Sequence, residues 1–185
     1  MKLNLGSGSK NKNGYLNLDK YETFKPDIVH DLEKFPYPFK DNSVTDILMS
    51  HVLEHLGQNP NIFNNIIKEL YRICANGALI DIRVPHPRHD DFLSDPTHVR
   101  PINIMTLHLY NKEKNLKWEK DGVANTPLAL IHNVNFVIKK VQKVLDNKYK
   151  SLLEDGTIKI EELDDLAHKY NNVIKEIKIT WEVVK

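Results

Sequence analysis

The sequence predicts an α/β protein with a mostly parallel, doubly wound sheet that ends in an antiparallel pair of strands. Short apolar segments of strand length recur through the first half of the chain. One clear helix pattern lies between two of them, and a strand–helix–strand succession is typical of parallel sheets. Two longer β-prone runs follow at residues 132–145 and 173–184, and we expect them to pair antiparallel and close the sheet.

The composition bounds the class of protein. A chain of 185 residues is long enough to bury one core, so we predict a single domain over residues 1–185. With 26 basic and 25 acidic residues, no overall field favours nucleic acid or a membrane surface as a partner. A single cysteine rules out an intramolecular disulfide, and no stretch approaches the length of a membrane span. We therefore expect a cytoplasmic protein.

The first half contains five strand-like segments. They are predicted at residues 2–5, 15–18, 27–30, 45–49 and 78–84. The connection between the first two is too short for an ordinary crossover helix, which takes about a dozen residues. We expect that this first crossover is trimmed to a loop.

Residues 59–77 show the clearest helix pattern. Asn59 suits the N-cap, and Pro60 suits the first turn because its missing N–H is not needed there. Apolar residues then recur at helical spacing, at positions 62, 63, 66, 67, 70, 73 and 74. Asn76-Gly77 is expected to end the helix. Cys74 falls on the apolar stripe, so we interpret it as a core residue rather than a nucleophile.

A glycine turn and a carboxylate follow the first two strands. The first strand runs into Gly6-Ser7-Gly8, and the second ends on Asp19. Ligands bind at the carboxyl ends of parallel strands, where a glycine turn lets a ligand approach the backbone. An aspartate beside it can accept hydrogen bonds from both hydroxyls of a ribose. Together these residues predict a nucleoside-containing cofactor.

Several short sequence motifs in the first hundred residues occur in a recognisable order. They are Leu3 to Gly8, Asn17 to Asp19, Asp31, Pro38-Phe39 with Asp41 to Asp46, and Leu53-Glu54-His55-Leu56. In this order and spacing the chain resembles the compact Rossmann-like (class I) S-adenosylmethionine-dependent methyltransferases. The resemblance implies S-adenosyl-L-methionine as the cofactor. Two departures stand out: Asn4 replaces the acid usual in such proteins, and the frequent third glycine is absent, with Ser9-Lys10 following instead.

The resemblance also implies roles for the cofactor-binding residues. The turn Gly6-Ser7-Gly8 would pass under the methionine moiety, and Asp19 would hold the ribose. Asp31 would accept from the adenine amino group, with the backbone of Leu32 reading the ring edge. Ser50 and His51, which end the fourth strand, would lie near the methionine portion and the sulfonium.

Histidines are the candidates for the acceptor side. Methyl transfer from a sulfonium needs alignment and, for a hydroxyl acceptor, removal of a proton, a task that suits histidine. His55 follows the fourth strand and is our first candidate for the base, with Glu54 able to orient it; His98 is the second. The segment 86–109 is predicted to form a lid-like loop with a short helix.

Within that lid we expect three residues to face the acceptor. His86 and His89 follow the fifth strand, on the rim that carries the cofactor loops. Arg100 belongs to an Asp-Pro-Thr-His-Val-Arg-Pro word that the resembling methyltransferases share, and its guanidinium suits a carboxylate or phosphate.

The predicted function is transfer of a methyl group from S-adenosylmethionine to oxygen or nitrogen of a small molecule or glycan precursor. One alternative is a non-catalytic nucleoside-binding module of the same fold. Another is a metal-dependent hydrolase that would draw its ligands from the lid, namely His86, His89, Asp90, Asp91, Asp95 and His98. Their spacing matches no compact zinc signature, so no metal is expected. A nicotinamide-dependent oxidoreductase is disfavoured because the glycine turn lacks the rest of that phosphate-binding fingerprint.

Overall fold

A computed structural model describes residues 1–185 and contains one seven-stranded sheet. The strands are β1 (Lys2–Leu5), β2 (Leu16–Asp19), β3 (Ile28–Val29), β4 (Val44–Ser50), β5 (Cys74–Pro85), β6 (Phe136–Leu145) and β7 (Ile174–Val183). Their order across the sheet is β3-β2-β1-β4-β5-β7-β6. The first five strands run parallel, and β7 runs antiparallel to both β5 and β6. The predicted doubly wound sheet with an antiparallel C-terminal pair is confirmed.

Seven helices accompany the sheet. They are α1 (Pro60–Ile73), α2 (Asp90–Leu93), α3 (Ile104–His108), α4 (Lys112–Lys120), α5 (Leu128–His132), α6 (Asn147–Glu154) and α7 (Leu163–Lys169). Helix α1 starts as predicted, because the Asn59 side chain accepts a hydrogen bond from the N–H of Asn61 over 2.9 Å. Its apolar stripe is buried and packs beside β5. None of these helices is long and apolar enough to cross a membrane.

Two predicted boundaries were wrong. Helix α1 ends at Ile73, and β5 begins at the very next residue, Cys74, instead of after Asn76-Gly77. Gly77, with φ of 78°, instead lies inside β5, where the register against β4 shifts. The run predicted from residue 132 starts as a strand only at Phe136, because His132 is the last residue of helix α5. A short apolar run has no distinguishing period, so pattern alone does not separate the two conformations there.

The first crossover contains no helix, as predicted. A loop over residues 6–15 joins β1 to β2, and two buried asparagines hold it. Asn4 Nδ2 donates to Asn17 Oδ1 over 2.9 Å and to the carbonyl of Lys10 over 3.1 Å. Asn17 Oδ1 also accepts from the N–H of Lys12 over 2.7 Å. Side chains of the sheet thus supply the hydrogen bonds that the loop backbone needs.

The core includes residues of every strand except β3 and anchors the strands on either side of the first crossover. Leu3, Leu5 and Leu18 are fully buried, so β1 and β2 are anchored through their apolar positions. At the C-terminal side the Trp181 ring stacks on Phe136 with 3.9 Å between centroids. Cys74 is fully buried, and burial raises the pKa of its thiol to about 12, as expected of a core cysteine.

Candidate active site

A cavity of about 550 Å³ opens at the carboxyl ends of β1 to β4. This size is within the range of small-molecule sites. The lining comprises Gly6, Gly8, Asp19, Lys20, Tyr21, Phe24, His30, Asp31, Leu32, Glu33, His51, Val52, His55, Leu56 and Thr97. The cavity therefore brings together seven of the residues predicted for the site: Gly6, Gly8, Asp19, Asp31, Leu32, His51 and His55.

The glycine turn requires glycine at Gly6. Its φ is +66°, and a Cβ there would lie 2.6 Å from a methyl carbon of Val52. Gly8 also has positive φ, +51°, but a Cβ at Gly8 would meet no atom within 4 Å. Val52 therefore leaves no room for a side chain at Gly6, whereas the backbone at Gly8 borders open space in the cavity.

The Asp19 carboxylate fixes this turn. Its Oδ2 accepts from the N–H of Gly8 over 2.8 Å, and its Oδ1 accepts from the N–H of Tyr21 over 2.9 Å. Asp19 is only 7% exposed yet lines the cavity. Because each carboxylate oxygen has a second lone pair, the group can still accept hydrogen bonds from a ligand.

Asp31 serves a turn and also borders the cavity. Its Oδ1 accepts from the N–H of Glu33 over 2.9 Å, which is a local turn contact. The neighbouring Leu32 is buried, and its carbonyl accepts from the Tyr37 hydroxyl over 2.8 Å. These bonds hold the segment after β3 against the cavity.

Sequence reasoning missed two aromatic residues of the lining. Tyr21 precedes the 3-10 turn after β2 and Phe24 ends it, with the two rings edge-to-face and 6.0 Å apart. They are 53% and 39% exposed, so both present apolar surface at the mouth of the cavity. The available signal was two large aromatic residues placed directly after the strand that ends on Asp19.

His51 lies between two carboxylates at the end of β4. Its Nε2 is 3.0 Å from Glu176 Oε1, and its Nδ1 is 3.5 Å from Glu54 Oε1. The Glu54 carboxylate, followed by Glu176, raises the pKa of His51 above its usual value. The backbone of His51 has φ of +56°, a conformation that non-glycine residues rarely adopt and that is concentrated at functional sites.

His55 and His98 meet beside the cavity. Their ring centroids are 4.5 Å apart. His55 and Thr97, the residue before His98, line the cavity, whereas His98 does not. The segment that carries His98 is held by two backbone bonds of 3.0 Å, from the N–H groups of Val99 and Arg100 to the carbonyl of Glu54. The predicted lid is thus docked on the 3-10 turn Leu53–His55.

The structure places the other predicted residues outside the lining. Ser7 is buried in the turn, and Ser50 pairs with Arg83 in the sheet. Arg100 lies over the Phe63 ring, 4.2 Å from its centroid, and donates to the carbonyl of Gly57. Burial lowers the pKa of Arg100. Its guanidinium is therefore engaged between the lid and α1.

His86 and His89 have partners on the C-terminal part of the chain. The backbone N–H of His86 bonds to the carbonyl of Lys175, and its ring Nδ1 accepts from the N–H of Arg88. His89 is buried and caps α2, with Nδ1 accepting from the N–H of Asp91 over 3.0 Å. Its Nε2 lies 3.4 Å from Asp146. Neither histidine enters the cavity lining, so the start of the lid is anchored away from it.

The lid ligands of the hydrolase alternative do not converge. His89 faces Asp146, and Asp90 bonds to Asn172 at 2.8 and 2.9 Å. Of that set only His98 joins a cluster with metal-ligand spacing, and its partners are Glu54 and His55. The combination of Glu54 with His98 is one that the sequence spacing did not suggest.

Comparison with solved structures supports the fold. The chain is similar to a SAM-dependent methyltransferase from Archaeoglobus fulgidus, over 98% of this chain and 85% of that chain, at 15% identity and a TM-score of 0.64. A methyltransferase from Mesorhizobium loti matches over 98% and 90%, at 16% identity and a TM-score of 0.52. The [4+2]-cyclase SpnF matches over 99% and 75%, at 12% identity and a TM-score of 0.55.

No protein-family model and no curated protein sequence matches the chain. At these low identities the structural likeness defines the fold. The protein has the Rossmann-like, class I methyltransferase fold, as the sequence resemblance implied. The cyclase shows that this fold is not restricted to proteins described as methyltransferases.

Proposed function

We propose that the protein binds S-adenosyl-L-methionine in this cavity and transfers its methyl group to oxygen or nitrogen of a small molecule or glycan precursor. The observation that carries the proposal is the position of Asp19. Its carboxylate is fixed by the N–H groups of Gly8 and Tyr21 at 2.8 and 2.9 Å and lines the same cavity as the glycine turn and Asp31. A ribose needs such a fixed acceptor with two oxygens.

The cavity offers a place for each part of the cofactor. Asp19 would accept from the ribose hydroxyls. Asp31 and the backbone of Leu32 would contact the adenine, beside the exposed rings of Tyr21 and Phe24. The methionine portion would run over Gly8, where the backbone borders open space, towards His51. Ser7 and Ser50 do not line the cavity, so they would contribute to cofactor binding through their backbone rather than through their side chains.

His55 is the proposed acceptor-side group, with His98 second. His55 Nδ1 lies 2.9 Å from Thr97 Oγ1, which itself donates to Asp95 Oδ1 over 2.6 Å. Because the Thr97 hydrogen is used by Asp95, His55 Nδ1 must donate, and the neutral ring keeps a proton-accepting Nε2. Such a nitrogen can remove the proton of a hydroxyl acceptor as the methyl group is transferred.

Charge and cysteine content support two further parts of the proposal, that neither nucleic acid nor a membrane is a partner and that the protein is cytoplasmic. The net charge is +1, which favours neither nucleic acid nor a membrane as a partner. The single cysteine is buried, in keeping with a cytoplasmic location. Arg100, His86 and His89 would support the lid rather than touch the acceptor, given the partners described above.

Calorimetry with S-adenosylhomocysteine tests cofactor binding. Asp19→Ala should weaken binding by roughly 1.5–3 kcal/mol, the range for a lost charged hydrogen-bond partner. Asp155→Ala is the matched control, because that carboxylate also accepts a backbone N–H, from Thr157, but lies away from the cavity. No binding by the intact protein, or equal binding by both variants, would contradict the proposal. Thermal unfolding without ligand shows whether Asp19→Ala still folds.

Methyl transfer needs a separate assay. The protein is incubated with methyl-labelled S-adenosylmethionine and a cell extract separated by size. We expect label in the small-molecule or glycan-precursor fraction. Label in protein or nucleic acid alone would contradict the acceptor class, and no transfer to any fraction would favour the non-catalytic binding module.

A further inference from the structure

We propose that Glu54, His55 and His98 form a binding site for a divalent transition-metal cation beside the acceptor end of the cavity. Each residue offers one ligand atom, and the three atoms lie within 4.8 Å of one another. His55 lines the cavity, so a cation held here would border the space available to a substrate.

The buried Glu54 carboxylate is the first independent observation. Its side chain is 1% exposed, and neither of its oxygens has a hydrogen-bond partner. The nearest basic side chain, that of His51, has its Nδ1 3.5 Å from Oε1, which is too long for a strong hydrogen bond. A buried carboxylate without hydrogen bonds is costly, and a bound cation is one of the few partners that offsets this cost.

The hydrogen bonds of the two histidines are the second observation. His98 Nδ1 lies 2.9 Å from the carbonyl oxygen of Phe92, which can only accept, so Nδ1 carries the hydrogen. His55 Nδ1 donates to Thr97 for the reason given above. In both neutral rings Nε2 is therefore left without hydrogen. Metal-binding histidines are held in this manner, with the other ring nitrogen donating to a carbonyl or polar oxygen.

The ligand set indicates the class of cation. Two imidazoles and one carboxylate suit Zn²⁺ and related first-row metals, and three protein ligands leave a position open for water or substrate. Hard cations such as Mg²⁺ prefer oxygen ligands. A cation about 2.1 Å from each donor separates tetrahedral donors by about 3.4 Å, so donor atoms at the 4.8 Å limit must move closer together to bind it.

A cation here would change the chemistry of the acceptor side. With His55 as a ligand, the cation rather than the imidazole would lower the pKa of a bound acceptor hydroxyl or hold its carboxylate. This consequence rests on the proposed methyl transfer. Cation binding does not depend on methyl transfer, because the geometry of the three ligands alone defines the site.

Titration of metal-free protein with Zn²⁺ tests the site. We expect one equivalent to bind, and Co²⁺ to give visible absorption bands of a site with nitrogen ligands. Loss of a partner that only orients a ligand costs 10–100-fold in affinity, so Glu54→Gln, His55→Ala and His98→Ala should each cost at least about that much. His132→Gln, which changes a histidine on α5 outside the cavity, should bind like the unchanged protein. Mg²⁺ should not compete.

The outcome that overturns the inference is the absence of Zn²⁺ binding, or binding that none of the three variants weakens. Thermal unfolding of each variant shows that it is folded, and the two histidine variants keep the test valid if Glu54→Gln does not fold. S-adenosylhomocysteine binding is measured on the same samples. Its presence without Zn²⁺ binding overturns the cation site alone, and its absence with Zn²⁺ binding overturns the cofactor proposal alone.

Discussion

The side chains of Asn4 and Asn17 face each other across the β1–β2 pair, with Asn4 Nδ2 donating to Asn17 Oδ1 over 2.9 Å. Both side chains are buried, at 4% and 6% exposure, on neighbouring parallel strands. Asn4 uses its two amide hydrogens on Asn17 and on the carbonyl of Lys10. An acid at this position could make neither bond. The asparagine is therefore suited to the helix-free first crossover.

Asn4→Asp should destabilise the protein by roughly 3 kcal/mol or more, because Asn17 Oδ1 and the carbonyl of Lys10 each lose a hydrogen bond and a carboxylate is placed beside them. Urea unfolding at pH 7 measures the loss. Asn11→Asp is the control in the same loop, since Asn11 is exposed and makes one bond of 3.3 Å to Lys25. A loss of equal size in both variants would refute the role given to Asn4.

Gly6→Ala and Gly8→Ala should differ in what they impair. The added Cβ at Gly6 would overlap Val52. Overpacking should cost roughly 1–3 kcal/mol and the positive φ roughly 1–2 kcal/mol, so this variant should lose several kcal/mol of stability. At Gly8 the Cβ meets only open space, so stability should fall by roughly 1–2 kcal/mol from positive φ alone.

Binding of S-adenosylhomocysteine separates the two glycines further. Gly8→Ala should remain folded yet bind the ligand at least about tenfold more weakly, because the methyl group occupies space proposed for the methionine portion. Thermal unfolding and calorimetry on both variants check this. Unchanged affinity in Gly8→Ala would move the ligand away from the turn.

Asp27 should make the stability of the folded protein depend on pH in the acid range. Its Oδ2 accepts from the backbone N–H and the Nδ2 of Asn17 over 2.7 and 2.8 Å, and the backbone bond, followed by the side-chain bond, lowers the pKa of Asp27 below its usual value. The folded state thus binds its proton less readily than the unfolded chain, whose aspartate pKa is about 3.9. The stabilisation is present above that pH and is lost as pH falls through the lower folded-state pKa.

The measurement is urea unfolding of the protein and of Asp27→Asn between pH 7 and pH 2. We expect the unchanged protein to be the more stable at neutral pH and the difference to shrink in the acid range. A difference that stays constant across this range would show that the Asp27 charge contributes nothing.

His55→Ala should lower methyl transfer by roughly 10²–10⁴-fold for a hydroxyl acceptor, the usual effect of losing a general base or an equivalent activating group. Affinity for S-adenosylhomocysteine should stay nearly unchanged. His98→Ala should have a smaller effect if His55 acts alone and an equal effect if both bind a cation. Turnover unchanged in both variants, with His132→Gln as the control, would remove histidine from the chemistry.

The parts of the fold that could be predicted are those with local signals. Helix α1 has an N-cap at Asn59 and a long apolar stripe, so its start and buried face follow from the sequence. The strand ends at Gly6 and Asp19 follow from short apolar runs and the rule that ligands bind at carboxyl ends. The helix at 128–132 has only five residues, too few to show a period.

The predictable part of the site is carried by strand ends and by the segments that directly follow them. Asp19 and Asp31 needed no knowledge of the tertiary contacts. The approach of His98 to Glu54 depends on the backbone bonds from Val99 and Arg100 to the Glu54 carbonyl, which involve no side chain and leave no pattern in the sequence. His86 and His89 lie outside the cavity lining because β5 continues to Pro85 and the chain then turns towards β7 and α7, where Arg88 donates to the carbonyls of Ala167 and His168.

The central claim is that the cavity at the ends of β1 to β4 holds S-adenosylmethionine, and a crystal structure with S-adenosylhomocysteine tests it most directly. We expect both ribose hydroxyls within hydrogen-bond distance of the Asp19 carboxylate, the adenine beside Asp31 and Leu32, and the sulfur on the side of the cavity that His55 borders. A ligand bound elsewhere, or a ribose without contact to Asp19, would contradict the account.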